Sequence, residues 1–165
     1  MTHMAFIHDD GGRAAAGYKG LTGDCVARAV AIASGRPYAE VYLALSDGTR
    51  EQRVTKRRKA SARNGVTTRR KWFKDYMASL GFVWVPTMQI GSGCKVHLVA
   101  GELPMGRLIV AVAKHYTAVI DGVVHDTFDP QRTTHEIGRK DGVDYRRTYE
   151  RCVYGYWRHE MGEVV

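Results

Sequence analysis

One cysteine stands between a Gly-Asp pair and a run of small and aliphatic residues. The run after Cys25 ends at Gly35 and Pro37, which are typical of a helix C-cap and the residues beyond it. Unpaired backbone N–H groups and the helix dipole favour a thiolate in the first turn of such a helix. The spacing therefore predicts a helix over residues 24–34 with a nucleophilic cysteine at its start.

A thiol nucleophile needs a base that takes its proton and a third group that holds the base in one tautomer. His115 opens a predicted strand, and Asp121-Gly122 is the favoured two-residue type I′ hairpin turn. Counting back from this turn places Thr117 opposite Asp126, and residues paired across two strands share a face. Asp126 is then a diagonal neighbour of His115, whereas Asp129 lies on the other face. We therefore predict a Cys-His-Asp triad in which Asp126 orients His115.

This order of a cysteine at a helix start, a histidine at a strand start and a polar residue on the next strand resembles the papain-like fold of cysteine peptidases and amidases. Asp24-Cys25 looks like the Asp-Cys of NlpC-type cell-wall peptidases. His115 and Asp126 are similar to the His and third polar residue of those enzymes, and to the His and Asp of bacteriocin-processing cysteine peptidases. The phrase from His115 to Asp129 also looks like that of uncharacterised papain-like proteins carried by phages. The resemblance implies a cysteine hydrolase of peptide, isopeptide or other amide bonds, acting through a thioester, with deamidation or acyl transfer also open.

The oxyanion hole of such an enzyme needs two donors. Papain-type enzymes use a Gln six residues before the Cys, where this chain has Lys19. The Cys25 backbone N–H can still serve, with Tyr18, Lys19 or Thr22 as candidates for the second donor and Asp24 as a supporting residue.

The elements that position these residues are predicted to be helices in the first part of the chain and an antiparallel sheet in the second part. This order is typical of an α+β domain. The predicted helices cover residues 24–34, 38–45, 67–80 and 95–100, and the predicted strands cover 82–85, 107–112, 115–120, 123–126 and 151–157. Residues 1–22 read as an irregular lead-in, and residues 131–144 as a polar loop. We predict one papain-like domain over residues 1–165, with N-terminal helices packed on a C-terminal antiparallel sheet.

Length and composition narrow the class of protein. A chain of 165 residues with 44% apolar residues suits one globular domain. Three cysteines argue against a disulfide framework and for a reducing compartment. Without a run typical of a signal peptide or a membrane span, we expect a cytoplasmic protein with no membrane contact, in the host cytoplasm if phage-encoded. Cys94 and His97 form only half of a zinc-ligand pattern, so we expect no metal and no other cofactor.

The net charge of +8 is concentrated in one segment. Residues 50–74 contain eleven Lys or Arg and one acidic residue, and residues 50–64 read as a basic loop insertion. Such a run is most often a solvated loop followed by the polar face of a helix, but clustered cations also bind nucleic acid or another polyanion. Trp72 and Phe73 fit either base stacking or a core face. The candidate nucleic-acid contacts are Lys56, Arg57, Arg58, Lys59, Arg69 and Arg70. The alternative function is therefore a catalytically inactive papain-like binding module.

Overall fold

Three helices and eight strands make up the computed structural model, which describes residues 2–20, 23–51 and 65–160. The helices are α1 (Cys25–Ser34), α2 (Tyr38–Glu51) and α3 (Lys71–Ser79). The strands are β1 (Ala5–His8), β2 (Phe82–Pro86), β3 (Arg107–Val112), β4 (His115–Ile120), β5 (Val123–Asp126), β6 (Thr133–Lys140), β7 (Val143–Glu150) and β8 (Gly155–His159). The α+β class expected from the sequence is confirmed.

Six strands form the main sheet in the order β1-β5-β4-β3-β8-β2, and β6 pairs with β7 in a separate two-stranded sheet. All neighbours in the main sheet are antiparallel except β1 and β5, which run parallel, so the sheet is mixed and the prediction of a wholly antiparallel sheet is wrong. The irregular lead-in predicted over residues 1–22 is also corrected, because β1 lies within it. All four residues of β1 are exposed, so its sequence carries no alternation between apolar and polar residues.

The β4–β5 hairpin has the predicted register. Ile120 pairs with Val123 and Ala118 pairs with His125 across a two-residue turn. Both turn residues have positive φ, 48° at Asp121 and 76° at Gly122, as a type I′ turn requires. Turn chemistry alone therefore fixes which side chains of the two strands share a face.

The centre of the main sheet is buried on both faces. On one face the three helices pack against Ile109, Ala118 and Trp157. On the other face a second cluster contains Leu108, Val110, Val119 and Val124, together with Met4, Leu98 and Val153. Neighbouring residues of β3 thus contribute to opposite clusters, which explains its uninterrupted apolar sequence.

Helix α2 is longer than predicted, because it continues through Ser46-Asp47-Gly48-Thr49 to Glu51. Gly48 is needed for packing and does not end the helix: a Cβ built there would lie 2.2 Å from the Trp72 ring. Helix α3 is shorter than predicted and begins at Lys71, with Thr67 and Thr68 preceding it.

Three further predictions are corrected. Residues 95–100 form no helix; His97 instead makes an isolated antiparallel bridge with Cys152. The predicted polar loop over residues 131–144 is occupied by β6 and the start of β7. The last strand of the main sheet is Gly155–His159, so it begins later than the predicted 151–157.

Cys94 and Cys152 form a disulfide, contrary to the expectation drawn from the odd number of cysteines. The bridge beside it brings the two segments together, and Cys25 is left as the free thiol of the three. Within the described ranges, no helix has the length and apolar character needed to cross a membrane.

Candidate active site

Cys25 is the first residue of α1, held there by the buried carboxylate of Asp24. Asp24 makes no side-chain cap of its own helix. Its Oδ2 accepts a hydrogen bond of 2.5 Å from the Tyr38 hydroxyl and lies 3.0 Å from Arg13 Nε, and its Oδ1 accepts from the Arg28 guanidinium. Asp24 thus ties the start of α1 to α2 and to the preceding segment, which fixes the position of the thiol.

His115 and Asp126 form a buried pair across the hairpin. His115 Nε2 lies 2.7 Å from Asp126 Oδ2, and the two side chains are only 9% and 4% exposed. The Thr127 N–H donates to Asp126 Oδ1 at 2.7 Å. Burial alone would raise the pKa of Asp126, but the hydrogen bond and charge of His115 and the hydrogen bond from the Thr127 N–H outweigh it, so the pKa is lowered. The carboxylate is therefore ionised beside the imidazole.

Cys25 and His115 line the same cleft, and each side chain shifts the pKa of the other. Because Nε2 of the ring is held by Asp126, Nδ1 is the ring nitrogen that remains for the thiol. Asp129 does not take part; its carboxylate accepts from the Gln131 backbone N–H at 3.0 Å. The structure thus pairs His115 with Asp126, as the hairpin register predicted, and places Cys25 in the same cleft as His115.

The charges of Cys25, His115 and Asp126 stabilise one another. Burial raises the pKa of the Cys25 thiol, but the hydrogen bonds from His115 and from the Tyr116 backbone N–H, with the charges of His115 and Arg28, lower it overall. Burial lowers the pKa of His115, but hydrogen bonds and charges of Asp126 and Cys25 raise it to about 9. Both shifts favour a thiolate–imidazolium pair.

Arg28 links the two carboxylates of the site. Its guanidinium binds Asp24, and its Nη2 lies 3.9 Å from Asp126 Oδ1. It was not among the residues singled out from the sequence. Two signals were present there: an arginine inside a run of small and aliphatic residues, and a spacing of four residues from Asp24 on the same helix.

The thiol faces an open cleft of about 1050 Å³, at the upper end of the range of about 300–1,000 Å³ that is usual for ligand sites. Aromatic rings form much of its wall, namely Trp84, Tyr116, Phe128, Tyr154 and Trp157. Phe128 lies against His115 with ring centroids 4.9 Å apart, and Trp84 lies 5.2 Å from Trp157. A substrate can therefore reach Cys25 along an aromatic surface.

Among the side-chain candidates for the oxyanion hole, Tyr18 and Lys19 do not line this cleft. Tyr18 packs between Tyr38 and Tyr42, and Lys19 is exposed with its carbonyl bound by Arg13 at 3.0 Å. Their aromatic and backbone contacts explain why they lie elsewhere. The Asp24 carboxylate can only accept hydrogen bonds, and Thr22 lies outside the described residues.

The candidate nucleic-acid contacts are divided. Arg69 is exposed and lines the cleft, and Arg70 precedes α3. Phe73 is fully buried, and Trp72 packs against Gly48, so both rings belong to the helical core face. Lys56, Arg57, Arg58 and Lys59 lie outside the described residues.

Cys94 and His97, which form half of a zinc-ligand pattern in the sequence, make other contacts. Cys94 is in the disulfide, and His97 Nδ1 lies 3.2 Å from Glu102 Oε2. Across residues 2–20, 23–51 and 65–160, no three His, Cys, Asp or Glu side chains converge as metal ligands would.

Comparison with known proteins gives no relative for this chain: no family model, no curated protein and no solved structure matches it.

Proposed function

We propose that this chain is a cysteine hydrolase with a papain-like arrangement, which cleaves a peptide, isopeptide or other amide bond. The observation that carries the proposal is a juxtaposition at the wall of an open cleft: Cys25 and His115 line it together and shift each other's pKa, and His115 Nε2 lies 2.7 Å from the Asp126 carboxylate. A buried cysteine without a function needs neither a base nor an orienting carboxylate.

The reaction follows from the charges. The Cys25 thiolate attacks the substrate carbonyl carbon, forming a C–S bond while the carbonyl oxygen takes the electron pair. The His115 imidazolium gives its proton to the leaving nitrogen, the C–N bond breaks, and a thioester and a free amine result. A water molecule then attacks the thioester carbon and passes a proton to His115. The C–S bond breaks, the acid product departs, and Cys25 is a thiolate again.

Two groups prepare this step. The Cys25 backbone N–H lies in the first turn of α1, where N–H groups lack partners inside the helix, and in this proposal it donates to the oxyanion. Asp126 keeps His115 in the orientation and charge state that the thiolate requires. Attack on the thioester by an amine in place of water would give acyl transfer, and a Gln side chain as substrate would give deamidation.

The proposal is tested with the wild type, Cys25→Ala and Cys25→Ser. Each protein is incubated with cell extract, and new protein amino termini and Gln-to-Glu conversions are identified by mass spectrometry. We expect changes with the wild type alone. Identical profiles for all three proteins, together with a Cys25 that alkylates no faster than glutathione at pH 6, would overturn the proposal.

The competing proposal of an inactive polyanion-binding module makes the opposite prediction. Its binding would survive Cys25→Ala and weaken steeply as salt rises. Neutralising Lys56, Arg57, Arg58 and Lys59 would abolish it.

A further inference from the structure

The cleft that contains Cys25 carries charge of one sign. Its described lining includes four cationic side chains, Arg28, Arg69, Lys74 and Lys114, and no carboxylate. Arg28 is engaged by Asp24 and lies near Asp126. The other three are exposed, and no carboxylate of the described residues lies within ion-pair distance of them. We call Arg69, Lys74 and Lys114 the cationic rim.

The cationic rim comes from three separate places in the chain. Arg69 precedes α3, Lys74 lies within α3, and Lys114 is in the turn between β3 and β4. Arg69 and Lys74 belong to the basic segment 50–74, but Lys114 lies outside it, so the fold adds a cation from a distant part of the chain. Like charges converging on one cleft repel each other, and this repulsion is relieved when an anion binds between them.

Lys114 is held in an unfavourable backbone conformation. Its φ is +57°, in the left-handed region, where glycine is accommodated without a steric penalty and most side chains cost about 1–2 kcal/mol. It directly precedes His115 and lines the same cleft. A lysine at a position that suits glycine is explained if its charge is needed beside the triad.

The same cleft has an aromatic wall, in which Trp84 is held in place by packing. Trp84 lies over the backbone of β8, where a Cβ built on Gly155 would meet its ring at 2.3 Å. Trp84 is 38% exposed, so part of its surface remains free for a ligand. A cationic rim beside an exposed indole fits a peptide that presents carboxylates next to the bond being cleaved.

We propose that the cleft selects peptide substrates with acidic side chains flanking the scissile amide, which the cationic rim binds. This inference rests on the proposed function, because it assigns the substrate of the same thiol. The rim residues touch the substrate away from the reacting atoms, so they act on specificity while Cys25, His115 and Asp126 perform the reaction.

Two reagents of similar size, one anionic and one neutral, test the rim directly. Iodoacetate and iodoacetamide both alkylate Cys25, but only iodoacetate is anionic. The rate ratio of the two is measured for the wild type and for the rim variant Arg69→Gln/Lys74→Gln/Lys114→Gln. The matched control is Lys95→Gln/Lys140→Gln/Arg146→Gln, which removes the same charge from exposed positions away from the cleft.

We expect the ratio to fall about 3- to 10-fold in the rim variant and to stay unchanged in the control, with an iodoacetamide rate close to that of the wild type in both. The imidazolium of His115 also favours iodoacetate, but it is present in all three proteins, so only the change in ratio reports the rim. An unchanged ratio in a rim variant that keeps its iodoacetamide rate would overturn the inference while leaving the hydrolase proposal intact. Slow alkylation of Cys25 by both reagents in the wild type would overturn the hydrolase proposal itself.

Protection experiments then identify the class of anion. Hexaglutamate should slow iodoacetamide alkylation of the wild type, whereas hexaglutamine should not, and hexaglutamate should lose its effect on the rim variant. Protection should weaken as salt is raised, since the rim is solvent-exposed. Stronger protection by a single-stranded oligonucleotide than by hexaglutamate would assign the rim to nucleic acid and overturn the peptide inference.

Discussion

Replacing His115 with alanine should turn the Cys25 thiolate back into an ordinary buried thiol. In the wild type, the pKa of His115 is about 9 against its usual 6.5, a difference worth about 3 kcal/mol in favour of the imidazolium. Part of this stabilisation is the mutual attraction of the imidazolium and the thiolate. Without the ring, the thiol keeps the burial that raises its pKa and loses the strongest contact that lowers it.

The expected size of the effect follows from the fraction of thiolate. A thiol with the ordinary pKa of about 8.5 is ionised to only about 0.3% at pH 6. We expect the wild-type Cys25 to be largely ionised at that pH because the ion pair holds its proton on His115. A thiolate of higher pKa is intrinsically more nucleophilic, which recovers about one order of magnitude. The rate of alkylation at pH 6 should therefore fall about 10- to 30-fold in His115→Ala.

The assay is alkylation by iodoacetamide between pH 5 and 10 under non-reducing conditions. Cys94 and Cys152 are joined in the disulfide, so incorporated label reports Cys25. Cys25→Ala gives the background. His125→Ala is the matched control, because His125 lies on the opposite face of the same hairpin, where its Nδ1 is 3.5 Å from Asp9 Oδ2.

The wild-type profile should show reactivity at low pH and a second change near pH 9, where His115 loses its proton. His115→Ala should show a single rise at alkaline pH, and His125→Ala should match the wild type. A wild-type rate that simply rises with an apparent pKa near 8.5, unchanged in His115→Ala, would refute the ion pair and with it the reasoning behind the active site.

Three further outcomes are expected. In Asp126→Asn the pKa of His115 should fall from about 9 towards 6.5, so the alkaline change in the alkylation profile should move to lower pH. The raised pKa of His115 increases the free energy of unfolding, fully below pH 6.5, and this contribution disappears as the pH rises through 9. Chemical denaturation should therefore show that the free energy of unfolding falls less at alkaline pH in Asp126→Asn than in the wild type. Gly48→Ala should lower the free energy of unfolding by about 1–3 kcal/mol despite the better helix propensity of alanine, because its Cβ would overlap the Trp72 ring; equal stability would contradict this packing. Reduction of the Cys94–Cys152 disulfide, which closes a separation of 58 residues, should cost about 2–4 kcal/mol by the same measurement, and an unchanged midpoint would count against the bridge.

The position of Asp126 beside His115 was predictable because the chemistry of a short turn determines it. Asp121-Gly122 selects a turn with two positive φ angles, and this turn fixes the register that brings Asp126 beside His115. The start of α1 was likewise marked by residues next to one another in the sequence.

The parts that the sequence did not predict lack such local signals. The strands β6 and β7 pair with each other and leave most of their side chains exposed on both faces, so no alternation distinguishes them from a polar loop. The continuation of α2 past Gly48 depends on the ring of Trp72 from another helix. The cationic rim joins residues of α3 to the β3–β4 turn, a proximity that only the fold creates.

Strand β1 bears on the order in which the parts of the site form during folding. Its register sets His8 beside Asp126, and the Asp9 N–H donates to the Asp126 carbonyl at 2.9 Å. Strand β1 precedes its partner strand by more than a hundred residues in the sequence. Pairings of such high contact order form slowly. We therefore expect the local β4–β5 hairpin, which brings Asp126 beside His115, to form before β1 pairs with β5, so that β1 holds in place a pair that already exists.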